Sequence, residues 1–316
     1  MKKLLAMMVA LMLILSVPAL AETEETYLIG ICQLVQHEAL DAATQGFKDA
    51  LTEKLGDQVS FDEQNASCDS PNFITIMNAF LSENVDLILA NATPALQAAQ
   101  AATADTPILG TSVTDYATAL DVSDWTGATG VNISGTSDLA PLDGQAAMIQ
   151  ELFPDAKEIG LLYCSAEANS AYQVGVIEGY LTEMGFNCTE YAFTDTNDVS
   201  AVTANACAAS DVIYIPTDNT AASCAEAIRN VVETEMVPVV AGEENLCKGC
   251  GVATLSISYY DLGYATGEMA YEILVEGADV STMEVRYAPQ FTKEYNAELC
   301  ELLGVTVPDG YTAIAE

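Results

Sequence analysis

Residues 27–51 read YLIGICQLVQHEALDAATQGFKDAL, and two periods meet in that stretch. Positions 27–35 are an almost unbroken apolar run, the composition of a strand covered on both faces. Leu40, Ala43, Phe47 and Leu51 then recur at three- and four-residue spacing, the apolar stripe of an amphipathic helix. A buried strand feeding a helix is half of a βαβ unit, and the rest of the chain repeats it. Positions 85–90, 107–113, a shorter 130–133, 159–164, 187–193, 212–216, 237–241 and 252–257 read as further strands. Positions 94–103, 139–152, 172–184, 199–209 and 221–233 read as helices between them. About ten strands are too many for one small sheet. The expectation is therefore an α/β chain of two lobes, each a mostly parallel sheet flanked by helices and reached by right-handed crossovers. Ser134-Gly135-Thr136-Ser137-Asp138 is polar and turn-prone, and marks the boundary. No long linker follows it, so short crossings should hinge the lobes.

Composition narrows the function. The 316 residues are 51% hydrophobic and 17% charged, a globular balance. Forty-six Asp and Glu face nine Lys and Arg, a formal charge of −37. Phosphate backbones and anionic membrane surfaces need basic partners, so no nucleic acid is expected as a ligand. One histidine, His37, leaves little material for a metal site or a Ser-His-Asp triad. Lys2 and Lys3, an apolar core over 4–15 and Ala19-Leu20-Ala21 have the layout of a cleaved signal peptide, residues 1–21. The product is expected to be exported, to periplasm or cell surface. With no cysteine at the cleavage point, the signal site gives no thiol for a lipid anchor. Nine cysteines form no metal-ligand spacing. Cys247-Lys-Gly-Cys250 is the one close pair, read as a local disulfide or two reduced thiols rather than half a zinc site.

Polar residues cluster where strands end, which is where open α/β sheets bind ligands. Gln33 to Glu38, Asn91-Ala92-Thr93-Pro94-Ala95 and Thr111-Ser112-Val113-Thr114-Asp115 follow strands of the first half. Glu167-Ala168-Asn169-Ser170, Pro216-Thr217-Asp218-Asn219-Thr220, Gly242-Glu243-Glu244-Asn245 and Ser258-Tyr259-Tyr260-Asp261 follow strands of the second. Thr93 suits a helix N-cap with Pro94 at the first helical position, so the next amides could hold a carboxylate. Asp218 and Glu167 could pair an ammonium, completing the charge pattern of an amino-acid zwitterion. His37, Tyr259 and Tyr260 could offer planar contacts to a ring.

In this order the motifs resemble the tryptophan/aromatic amino-acid substrate-binding proteins of ABC importers. The resemblance runs over Gln33–Asp41 with Gly46-Phe47, Ala92–Ala95, Val113–Asp115, Gly130–Asn132, Ile159–Tyr163, Glu167–Ser170, Pro216–Thr220, Ser258–Gly263 and Thr266-Gly267. It implies the two-lobed type I periplasmic-binding-protein fold, with residues 27–137 plus 260–286 as lobe 1 and 138–259 plus 287–316 as lobe 2. It implies no enzyme and no cofactor, but hinged capture of tryptophan, tyrosine or phenylalanine by a monomer that serves an ABC permease and its ATPase. Carried over, Thr93, Pro94, Ala95 and Thr111 to Thr114 would hold the carboxylate. Asp218, with Glu167 and Asn169, would hold the ammonium, and His37 and Tyr260 would flank the side chain. Asp115, Ser170, Asn219 and Glu243 complete the expected site. A sensory module, a nucleoside or sugar binder of the same fold, and a secreted enzyme using the cleft carboxylates are the rival readings.

Overall fold

In the computed structural model, which describes residues 25–315, the opening motif folds as strand β1 (Tyr27–Gln33) followed by a helix at Glu38–Leu55. The expected signal segment lies outside the described residues. The strands that follow are β2 (Val59–Asn65), β3 (Leu87–Asn91), β4 (Ile108–Val113), β5 (Ile133–Ser137), β6 (Glu158–Cys164), β7 (Asn187–Phe193), β8 (Val212–Ile215), β9 (Val239–Ala241), β10 (Ala253–Ser256), β11 (Arg286–Tyr287), β12 (Thr292–Tyr295) and β13 (Thr312–Ala313). They form two sheets, in the orders β11-β5-β4-β3-β1-β2 and β13-β12-β10-β9-β8-β6-β7. Every pairing is parallel except β10 with β12. The central strands β3 and β4 are buried at every position, as strands with helices on both faces must be.

One sequence expectation is corrected, and one strand had no expectation at all. The strand expected at 130–133 begins only at Ile133 and runs through Ser137, so most of the stretch read as a boundary turn is a fully buried strand. Its hydroxyls are paired, which removes the cost of burying them. Thr136 Oγ1 meets Thr111 Oγ1 at 3.3 Å and Thr266 Oγ1 at 2.8 Å. Tyr116 Oη donates to the Thr136 carbonyl at 3.1 Å. The strand without an expectation is β2, whose Val-Ser-Phe-Asp-Glu-Gln-Asn sequence carries no apolar run because it is a half-exposed edge strand.

The chain passes between the sheets three times: after Ser137, after Ser256 and after Tyr287. The second passage leads into the helix Tyr259–Leu274, which returns to pack on Glu38–Leu55 and on β4 and β5. That helix pair touches backbone to backbone. A Cβ at Gly263 would lie 1.9 Å from the Ala43 carbonyl oxygen, and one at Gly46 would lie 2.1 Å from that of Tyr260. Only hydrogen at these positions permits the approach. Cys247 and Cys250 are free thiols buried in the core of the second sheet, which answers the disulfide alternative for that pair.

Candidate functional site

The carboxyl ends of the two sheets face each other, and buried amides fix the loops that form the walls. On the first wall Thr44 Oγ1 donates to Gln33 Oε1 at 2.7 Å and accepts from Asn91 Nδ2 at 2.9 Å. Gln33 Nε2 reaches Asp41 Oδ1 at 2.7 Å. The ends of β1 and β3 are thereby locked to the helix that His37 precedes. On the second wall Gln173 donates to the Thr217 carbonyl and accepts from the Thr217 amide, at 3.2 and 3.1 Å. Gln145 accepts from Tyr214 Oη at 2.6 Å and donates to the Gly242 and Leu255 carbonyls. These side chains hold the ends of β8, β9 and β10 in register.

Glu167 is the most densely bonded acid of the site. One oxygen accepts from the amide and hydroxyl of Thr220, at 2.8 and 2.7 Å. The other accepts from Asn219 Nδ2 at 2.7 Å and from Asn169 Nδ2 at 3.1 Å. Asn219 in turn meets His37 Nε2 at 3.2 Å, a bond that spans the two walls. Burial lowers the pKa of the His37 imidazole, so the bridge is made by a neutral ring. His37 therefore bridges the walls through the edge of its ring.

Several expected contacts take other work. Asp218 Oδ2 accepts from the Cys164 amide at 2.7 Å and Oδ1 from the Ala221 amide at 2.8 Å, so it caps the short helix Asn219–Ser223. Burial first, then the charge of Glu167, push its pKa up to about 7. Ser170 is wholly buried beside Asn169, which bonds its hydroxyl at 3.3 Å. Glu243 caps Glu244–Cys250 through the amides of Asn245 and Leu246, and burial raises its pKa to about 7. Asp115 caps Tyr116–Ala119 through the Thr118 amide. These acids are caps because a strand end is also a helix start, and free amides there attract carboxylates. Thr111 and Thr114 are paired inside the fold, with Thr136 and with Asp138 Oδ1 at 3.0 Å, while Val113 and Ala95 lie in the core of the first sheet.

Tyr260 is displaced outright. It is 40% exposed and donates to Asp49 on the outer surface at 3.0 Å. Neighbouring helical residues point about 100° apart, and Tyr259 is the one that turns inward, donating to Asp138 Oδ2 at 2.9 Å. Thr93 is likewise one position off its expected place. Ala92 is the N-cap, with φ 90 and ψ 158, and Thr93-Pro94 begin the helix Thr93–Ala102. That backbone region is essentially glycine's. Ser112, at the end of the adjacent strand, is also left-handed at φ 55. Two strained residues side by side on one wall are a mark of functional sites. Ser112 Oγ, Asn169 Oδ1 and His37 Nδ1 are buried without a hydrogen-bond partner.

A cavity of about 430 Å³ opens between the walls, lined by Leu34, Val35, Phe73 and Pro94 on one side and by Cys164, Ala166, Glu167 and Thr220 on the other. No lysine or arginine lines it, whereas Glu167 and Asp195 do. Lys48, Lys54, Arg229, Arg286 and Lys293 each pair with glutamate on the surface. Cys68 and Phe73, which follow β2, and the 194–196 turn after β7 carry no sequence signal and were not among the expected contacts. Among the described residues no group of His, Cys, Asp and Glu could hold a metal ion, and no helix is long and apolar enough to cross a membrane.

Comparison with known proteins bears on the family and the fold. Residues 28–316 match the family model described as ABC transporter substrate binding protein. A protein of Clostridioides difficile named tyrosine-binding protein is 37% identical over 260 residues, 81% of this chain and 75% of its own length. The structure of an ABC domain from Streptococcus pneumonia in complex with L-Trp has a TM-score of 0.87 at 30% identity, covering 92% of this chain and 100% of that one. The ligand-free, open structure of a substrate binding protein with adhesive properties from Clostridium difficile has a TM-score of 0.70 at 36% identity, covering 92% and 99%. The fold is that of the type I periplasmic binding proteins. The chain belongs to the ABC transporter substrate-binding protein family.

Proposed function

We propose that this protein captures an aromatic L-amino acid between its lobes outside the cytoplasm and delivers it, as a monomer, to the permease and ATPase of an ABC importer. The carrying observation is the inter-wall cavity, whose charged lining is carboxylate alone. Its volume falls within the roughly 300–1,000 Å³ of small-molecule sites. An ammonium is the complementary charge, and Glu167 is its partner, since Glu167 lines the cavity and Asp218 does not. With no cation in the lining, the ligand carboxylate goes to neutral donors: the amides of the helix start that carries the cavity-lining Pro94, and the unpartnered Ser112 Oγ on the adjacent strand. Leu34, Val35, Phe73 and Pro94 form an apolar side for the ring. Binding and release without chemical turnover follow from this assignment, since no residue is placed as an acid or base against a reacting bond.

The lobes are residues 27–137 plus 260–286 and residues 138–259 plus 287–316, with 1–21 removed on export. Hinge closure is supported by the comparison just given. The structure fits the tryptophan complex better than the open, ligand-free relative, although the latter is the more similar in sequence. Closure then follows from a ligand that touches both walls and so favours the state in which they meet. Calorimetric titration of residues 22–316, unfolded and refolded to strip carried ligand, tests the reading against L-tyrosine, L-tryptophan and L-phenylalanine. One-to-one saturable binding is expected. Glu167→Gln should weaken it by roughly 30-fold or more, the cost of about 2 kcal/mol or above for truncating a buried charge pair. Absence of binding to all three would sink the assignment.

A further inference from the structure

Three of the cysteines converge at one edge of the cleft. Cys68 lies in the turn that leaves β2, on the first sheet, while Cys164 ends β6 and Cys224 joins two helices on the second. Cys68 and Cys164 line the same cavity. Thr220 lines the same cavity beside them. Its carbonyl accepts from Cys224 Sγ at 3.0 Å. The turn that presents Cys68 is held from both ends: the Cys68 amide donates to the Leu34 carbonyl at 3.0 Å, and the Ser67 amide to Asn65 Oδ1 at 2.8 Å. Cys68 is exposed and Cys164, though buried, borders the cavity, whereas the buried Cys32, Cys207, Cys247, Cys250 and Cys300 do not.

We propose that Cys68 and Cys164 are a thiol modification site, joined across the mouth of the cleft by a disulfide that a small-molecule disulfide installs and that holds the lobes closed. The exchange takes two steps. The Cys68 thiolate, having lost its proton to solvent, attacks one sulfur of the oxidant, forming a mixed disulfide and expelling one thiolate. The Cys164 thiolate then attacks the Cys68 sulfur, forming the bond between the walls and expelling the second thiolate. Two protein thiols are oxidised, one disulfide is reduced to two thiols, and the expelled thiolates take up the two protons. Although the residue is exposed overall, partial burial of its sulfur against the cavity and then the charge of Glu167 push the Cys68 pKa up to about 11 in the closed arrangement. Opening carries Cys68 away from Glu167 into water, so the first attack belongs to the open state and the second to closure. Cys224 is the competing partner, and a bond from it to Cys164 would stay within one wall and lock nothing.

This inference rests on the hinge closure proposed above but not on the identity of the ligand, so it is tested without ligand. The reduced, refolded protein is treated with oxidised glutathione, and its disulfides are mapped by mass spectrometry after alkylation and digestion. Small-angle scattering follows its radius of gyration. A Cys68–Cys164 linked peptide is expected, with a fall in radius that dithiothreitol reverses and that Cys68→Ser abolishes while Cys224→Ser does not. Recovery of Cys68 only as free thiol or glutathione adduct would overturn the proposal. So would a linked peptide joining Cys164 to Cys224, or a Cys68–Cys164 bond that leaves the radius unchanged. Calorimetry with L-tyrosine on the reduced protein separately reports the ligand assignment.

Discussion

Replacing Glu243 by glutamine should make the protein less sensitive to pH. The side chain is 3% exposed, accepts from two backbone amides and has no cation beside it, so burial dominates and its pKa stands near 7 instead of 4.5. The folded state therefore holds this proton more tightly than the unfolded chain does. The resulting stabilisation is fully present below pH 4.5 and is lost as pH rises through 7. A shift of about 2.5 units at roughly 1.4 kcal/mol each is worth about 3 kcal/mol. For a chain of this size that corresponds to about 6 °C in Tm. Thermal and urea denaturation of wild type and Glu243→Gln at pH 5 and pH 8 would measure it. Wild type should lose stability across that interval, in part through Asp218, whose pKa is raised in the same direction. The variant should lose about 3 kcal/mol less. Equal slopes in the two proteins, or a wild type that gains stability toward pH 8, would refute the reasoning.

Three other substitutions probe the frame around the site. Gly263→Ala places a methyl 1.9 Å from the Ala43 carbonyl oxygen and should destabilise by about 1–3 kcal/mol or more, seen as a lower urea midpoint with an unchanged m-value. Ala92→Gly should do the reverse. Relief of its positive φ, about 1–3 kcal/mol, outweighs the roughly 0.5–1 kcal/mol entropy cost of a glycine, and Tm should rise. Tyr259→Phe and Tyr260→Phe form a matched pair: the first breaks the bond to Asp138 and should lower stability by about 1–3 kcal/mol. The second loses only a surface bond to Asp49 and should leave stability and ligand affinity unchanged.

What could be read from sequence divides along physical lines. Most strands read from sequence, β1, β3, β4, β6, β8, β9 and β10, are interior to their sheets, where two covered faces favour apolar runs, and β7 alone among them is an edge. β2 is an edge strand, and β11 and β13 are two residues long, too short to show any period. β5 was misplaced because Ser134, Gly135, Thr136 and Ser137 look like a turn until their cross-strand partners are known. The polar strand ends were legible because helix starts demand Asp, Asn, Ser and Thr. That same demand hid the roles. Asp115, Asp218 and Glu243 satisfy amides of their own helices, while Glu167 is gathered into the cavity by residues some 50 positions away. No local pattern separates those cases. The choice between Tyr259 and Tyr260 depended on helix phase, set by the Ser258 cap on the Asp261 amide.

The contact between Asp138 and Tyr259 constrains how the two sheets can move. Asp138 lies on the first of the three passages between them and Tyr259 begins the helix entered by the second, so their 2.9 Å bond gathers two passages into one point. Thr114, at the end of the first sheet, adds a further tie to the same carboxylate. A body pinned at one point keeps three rotations. The third passage, between Tyr287 and Thr292, supplies a second point, and two points define a line. In the proposed closure these two points suppress twisting and sliding and leave swinging about that line. A clamshell with a single axis brings the same wall residues together on every closure, which is what a reproducible set of ligand contacts requires.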